Sequence, residues 1–178
     1  MTEQEVRNCV NSGTINAFLD TLNKTESWRA LLGKLEPDRR MKDIEIILRV
    51  LALVDDCKNY KKPMKDFISA YMEKHVNISK EEQEKLGTFF KATTDMIKSQ
   101  VGSSAFRLSG GRVNVAVLDS VMTAVATIGP SKIKDFKNRL ENLKTNGSYS
   151  DYVSKSTTDD DAVKGRIKMS IETFIHKA

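Results

Sequence analysis

The chain is poor in the residues that usually announce a chemistry. Its 178 residues include two cysteines, two histidines, three prolines, nine glycines and one tryptophan. Cys9 and Cys57 form no CxxC pair and suggest no disulfide framework, which fits a reducing compartment. Both fall at expected helical packing positions without a histidine beside them, so plain burial is expected rather than nucleophilic catalysis. His75 and His176 lie near expected helix ends, where an imidazolium complements the helix dipole, and no ligand cluster for a metal accompanies them. No apolar run approaches the roughly 20 residues of a membrane span. The N-terminus also lacks a basic segment followed by an apolar one. The expectation is a cytoplasmic protein with no metal, no cofactor and no membrane contact.

What is present is helix-forming. Hydrophobic residues make up 39% and charged residues 30% of a length that suits one domain (residues 1–178) with a real core. The net charge of +5 permits contact with phosphates without demanding it. No compact Lys/Arg cluster with interleaved aromatics appears, so a solvated surface is the plainer reading.

The most informative segment runs from Arg39 to Val54. From Ile44 onward it is apolar around nearly its whole circumference, yet it carries Asp43, Glu45 and Arg49. A helix apolar on all sides belongs inside others, and charges set into it must be paired. Glu45 and Arg49 lie one turn apart with the acid first, the favourable order for an ion pair. Pro37-Asp38 supplies the entry to this helix.

Elsewhere, Thr2-Glu3-Gln4-Glu5 and Ser79-Lys80-Glu81-Glu82 read as capping boxes. The first opens a helix expected to turn Val6, Cys9 and Val10 inward. Short helices follow with Ile15, Phe18, Leu19 and Leu22, then Trp28, Leu31 and Leu32 inside. Met64, Phe67, Ile68, Tyr71 and Met72 form the next stripe. The second box opens a long helix lined by Leu86, Phe89, Phe90, Thr93, Ile97 and Val101. Val113 to Ile128 alternates like a strand at its start, but its length argues for a second buried helix ending at Gly129-Pro130. Ser131 is placed to cap a basic amphipathic helix with Ile133, Phe136, Leu140 and Leu143 inward, stopped by Asn146-Gly147. Residues 148–158 are polar, and a last helix buries Ile167, Ile171, Phe174 and Ile175. The expected fold is all-α, a bundle of about seven to nine helices around two buried apolar ones.

Three polar groupings invite a functional reading. Arg40, Asp43, Glu45 and Arg49, with Arg112, Asn114 and Asp119, form a candidate polar network, either a site or a set of ion pairs that fixes helix register. Ser109-Gly110-Gly111-Arg112 before a helix is the one place resembling a phosphate cradle, though it lacks the Gly-Lys-Ser/Thr ending of a P-loop. The plainer reading is a flexible turn whose Arg112 pairs with Asp119 or another carboxylate. Lys132, Lys134, Lys137, Arg139 and Lys144 are candidate nucleic-acid contacts. Asp135 and Glu141 interrupt their charge, and a solvated helix face is the plainer account.

Several segments, taken in order, resemble one family. They are Glu3-Gln4-Glu5-Val6-Arg7-Asn8 with Gly13, and Arg40-Met41-Lys42-Asp43-Ile44-Glu45 with Leu48-Arg49-Val50-Leu51-Ala52. Met64-Lys65-Asp66-Phe67 with Tyr71-Met72 follows, then Ala105-Phe106-Arg107 with Arg112-Val113-Asn114 and Asp119-Ser120-Val121-Met122. Over nearly its whole length the chain resembles the C-terminal half of the bacterial "domain of unknown function 262" proteins, relatives of the GmrS half of modification-dependent restriction systems. In that family a ParB/sulfiredoxin-like nucleotide-hydrolysing domain with an Asp-Gly-Gln-Gln-Arg signature precedes this region, and some members add a nuclease domain with a His-containing motif. Neither signature occurs here, so no catalytic residue carries over. The resemblance implies the helical half of a larger defence protein, non-catalytic by itself, with the nucleotide-hydrolysing domain as partner in cis or in trans and DNA reached through the parent protein. The alternative is direct nucleic-acid binding through residues 132–144 and the Arg107/Arg112 region.

Overall fold

A computed structural model describes residues 1–108 and 111–175. Ten α-helices and no strand occur among them: α1 (Glu3–Val10), α2 (Thr14–Asn23), α3 (Glu26–Leu32), α4 (Lys42–Asp56), α5 (Met64–Lys74), α6 (Lys80–Gln100), α7 (Val115–Ile128), α8 (Phe136–Thr145), α9 (Gly147–Ser154) and α10 (Asp160–Ile175). The fold is the all-α bundle expected, with one helix more than the upper end of the expected count.

Two apolar rods organise it. In α4, Ile47, Leu48, Val50, Leu51, Ala52 and Leu53 are all buried, because α1, α2, α5 and α7 pack around it. Val113 to Ile128 resolves in favour of a helix. Asn114 caps α7, its Oδ1 accepting from the backbone N–H groups of Ala116 (2.9 Å) and Val117 (3.1 Å), and every residue from Ala116 to Val125 is buried. A cap side chain that satisfies two orphan donors tips a β-branched run into a helix. The chain leaves α7 at Gly129, whose φ of 93° suits a residue without Cβ.

The other helices are layered on these rods. On one side, α3 lies on α6, with the Trp28 and Phe90 rings edge to face at 5.5 Å and Trp28 Nε1 donating to Asn23 Oδ1. On the other, α10 runs along α7 and against α8 and α9, where Phe136 meets Phe174 at 5.1 Å between ring centres. Both capping boxes form, with Thr2 and Ser79 accepting from the backbone N–H groups of Glu5 and Glu82.

Three expectations fail. First, α1 is turned over. Gln4 and Arg7 are buried, while Val6, Cys9 and Val10 face solvent. Arg7 finds four partners inside: Nη1 donates to Glu45 Oε2 and Gln4 Oε1 (both 3.0 Å), Nε to Ser69 Oγ (2.9 Å) and Nη2 to the Lys65 carbonyl (3.4 Å). Such a set offsets the cost of desolvating a guanidinium and outweighs three modest apolar side chains.

Second, Ser131 does not cap the basic helix. Pro130–Lys132 forms a short 3₁₀ turn, and α8 opens only at Phe136, after Asp135 in a left-handed conformation. The polar stretch after Asn146, to which the sequence assigns no element, is helical. Asn146 ends α8 and caps α9 by accepting from the Tyr149 N–H. The helix is anchored by fully buried Tyr149, whose hydroxyl meets Ser120 Oγ at 2.7 Å. One buried tyrosine with a satisfied hydroxyl holds an element that periodicity alone does not reveal. Third, the inner stripe of α10 is Val163, Arg166, Ile167, Ser170 and Phe174, and Ile175 is exposed rather than buried.

Candidate functional site

Three charges of α4, Asp43, Glu45 and Arg49, are each held by a different part of the fold. Asp43, in the first turn, accepts on Oδ2 from Arg29 Nη1 (3.0 Å) and Nη2 (2.9 Å) of α3 and from the Asp38 backbone N–H (2.9 Å). Lys34 adds a longer contact at 3.7 Å. Glu45, half-exposed, takes Arg7 of α1. Arg49 reaches α7, where Nη2 lies 2.5 Å from Asp119 Oδ2.

Asp119 is the centre of the deepest cluster. Arg166 of α10 grips it in bidentate fashion, Nε to Oδ1 and Nη2 to Oδ2, both 2.8 Å, and its Nη1 donates to the Thr157 carbonyl at 2.6 Å. Asp119 and Arg166 are both fully buried. A bidentate guanidinium on a carboxylate is the strongest common geometry for such a pair. The expected Glu45–Arg49 pair is therefore replaced by two pairs across helices. A carboxylate shielded from water attracts Arg49 more strongly than one half in solvent.

The remaining network residues separate. Arg112 is exposed and does not pair with Asp119, a place taken by Arg166, which the sequence did not single out. Asn114 is a cap, and its Nδ2 ties α7 to the Val153 carbonyl of α9 at 3.0 Å. Arg40 is exposed; its backbone N–H donates to Asp38 Oδ1 and its carbonyl accepts from Thr2 Oγ1.

The chemistry around Asp119 is that of a sealed structural cluster. Its carboxylate has both oxygens committed to guanidinium groups. Burial pushes the hydroxyl of Tyr149 and the thiol of Cys57 upward, keeping both protonated near neutral pH. Cys57 is only partly exposed, and Cys9, contrary to expectation, is exposed. His75 ends α5, with Nδ1 2.8 Å from the Tyr71 carbonyl and its ring stacked on Tyr71. His176 lies outside the described residues. Among the described residues, no group of three His, Cys, Asp or Glu side chains is placed to hold a metal, and no helix is long and apolar enough to cross a membrane.

The basic residues of 132–144 do not form one strip. Lys132 is in the 3₁₀ turn and Lys134 in the link before α8, both exposed, as is Lys137. Arg139 Nη1 donates to the Thr173 carbonyl (2.7 Å) and Lys144 Nζ to the Ser104 carbonyl (3.0 Å), so two of the five are engaged within the fold. Of the glycine-rich loop, Ser109 and Gly110 lie outside the described residues. Gly111 and Arg112 line a cleft of about 840 Å³ between the end of α3, the start of α4 and the approach to α7. Lys34, Lys42 and Arg107 share this cleft, a convergence that no sequence spacing announces. Comparisons with family models, with curated proteins and with solved structures find no match to this chain.

Proposed function

We propose that this chain is a non-catalytic helical module that supports a nucleotide-hydrolysing domain, in cis or in trans, within a restriction-like bacterial defence protein. The observation that carries this reading is the outward apolar face of α1. Val6, Cys9 and Val10 share one side of the helix in solvent, while Arg7 on the other side locks it to Glu45 and Ser69. Scattered exposed apolar residues are ordinary, but a helix face made of them suits a partner surface. Glu45, Asp43 and Arg49 of the central rod support the same reading, because they join α4 to α1, α3 and α7. Direct nucleic-acid binding through 132–144 has less support, since Arg139 and Lys144 already serve the fold.

The test is co-purification with a separately expressed Asp-Gly-Gln-Gln-Arg domain of the family that the sequence resembles. The chain should be retained, and Val10→Lys should abolish retention without lowering the melting temperature. Robust nucleoside triphosphate turnover by the isolated chain overturns the non-catalytic reading.

A further inference from the structure

The cleft beside the start of α4 collects more cationic charge than its own carboxylates neutralise. Four cationic side chains line it: Lys34, Lys42, Arg107 and Arg112, from three separate parts of the chain. Two carboxylates also line it, Asp38 and Asp43, and both are already matched. Asp43 is held from beneath by Arg29, and Lys34 lies 3.7 Å from Asp43 and 3.6 Å from Asp38. Lys42 and Arg112 are exposed and have no partner among the described residues. Like charges gathered in one concavity repel, and a bound anion relieves that repulsion.

The wall is also built to stay in place. Arg107 Nη2 donates to the Leu32 carbonyl at the end of α3 (3.1 Å), and its Nη1 to the Ser103 carbonyl. Gly33 has a φ of 69°, a backbone conformation that favours glycine, and the Arg107 guanidinium lies close beside it. Residues from the start of α4 and from the approach to α7 border the same space. Ile46 and Val113 supply an apolar side. A volume of 840 Å³ falls within the roughly 300–1,000 Å³ of small-molecule sites.

We propose that this cleft binds a small phosphorylated organic molecule, with Lys42 and Arg112 on the phosphoryl oxygens and the Ile46–Val113 side against its carbon skeleton. A concavity with an apolar side fits a compact phosphoester better than an extended strand, whose phosphates would need cations spaced along a face. The inference stands apart from the docking surface on α1 and does not depend on it.

The test is isothermal titration calorimetry on the full chain at low salt, with ATP and inorganic pyrophosphate as probes and no divalent metal. Both should bind at one site per chain, ATP at least as tightly as pyrophosphate. The K42Q/R112Q double variant should bind each at least tenfold more weakly. K137Q, exposed and outside the cleft, should bind as the parent does, and so should V10K. The proposal is overturned if neither probe binds, if the double variant matches the parent, or if K137Q loses as much affinity. A single-stranded oligonucleotide that displaces ATP at matched phosphate concentration would overturn the small-ligand assignment in favour of a nucleic-acid strand.

Discussion

Asp119 shows what a single residue does when it is buried between two guanidinium groups. Its carboxylate neutralises one positive charge fully and shares itself with a second, so removing it strands Arg49 and Arg166 in the interior. Breaking a buried pair by deleting one partner costs about 3–5 kcal/mol, far more than the pair's net contribution when intact. Asp119→Asn should therefore lower the unfolding free energy in urea by about that amount, with the slope unchanged. A loss below about 1 kcal/mol would mean that water reaches the cluster and screens it. That Arg49 needed a partner was legible in the sequence, because a charge within an apolar rod has no alternative. Which carboxylate served it was not. Glu45 is four positions away and Asp119 is seventy, and only the packing of α4 on α7 makes the second one nearer.

At the scale of elements, helix ends were the most legible features. The box at Ser79 and Glu82 lies within four residues, so its geometry follows from local backbone alone. The Ser79 hydroxyl and backbone N–H hold the Glu82 carboxyl below the usual carboxylate range. A group with a depressed folded-state pKa contributes stability above its unfolded value, and that contribution is lost as pH falls through the folded value. Ser79→Ala should cost about 1 kcal/mol at neutral pH and flatten the decline in stability below about pH 4, read by thermal melts across pH. The α1 box forms just as locally, but the periodicity of that helix misleads. Its pattern of Val6, Cys9 and Val10 predicts an inward apolar face, yet a tertiary partner for Arg7 rotates the helix the other way. The helix from 147 to 154 was equally hidden, since its anchor is one tyrosine that finds Ser120 twenty-nine positions earlier.

For the whole molecule, stability should be graded outward from the two rods. The middle segments of α4 and α7 are enclosed by other helices, and their amides should exchange only on global unfolding, whereas α1 borders solvent along its outer face. Hydrogen exchange followed by mass spectrometry should find residues 47–53 and 117–125 slowest and residues 3–10 among the fastest of the helical segments. Protection of α1 equal to that of α4 would show the chain unfolding as one unit. The cleft between α3, α4 and the approach to α7 belongs to this scale as well. Lys34, Lys42, Arg107 and Arg112 are unremarkable in sequence, spread over 79 positions, and they share a concavity only after three segments have packed.

Composition, periodicity and capping residues by themselves determined that this chain is helical, where its two apolar rods lie and where several helices begin. Those forces act between residues within about one turn of each other, so they are written locally. The tertiary structure decided which charges meet, which face α1 presents and where positive charge gathers. Desolvation and Coulomb attraction depend on distance in space, and the chain sets those distances only when it closes on itself.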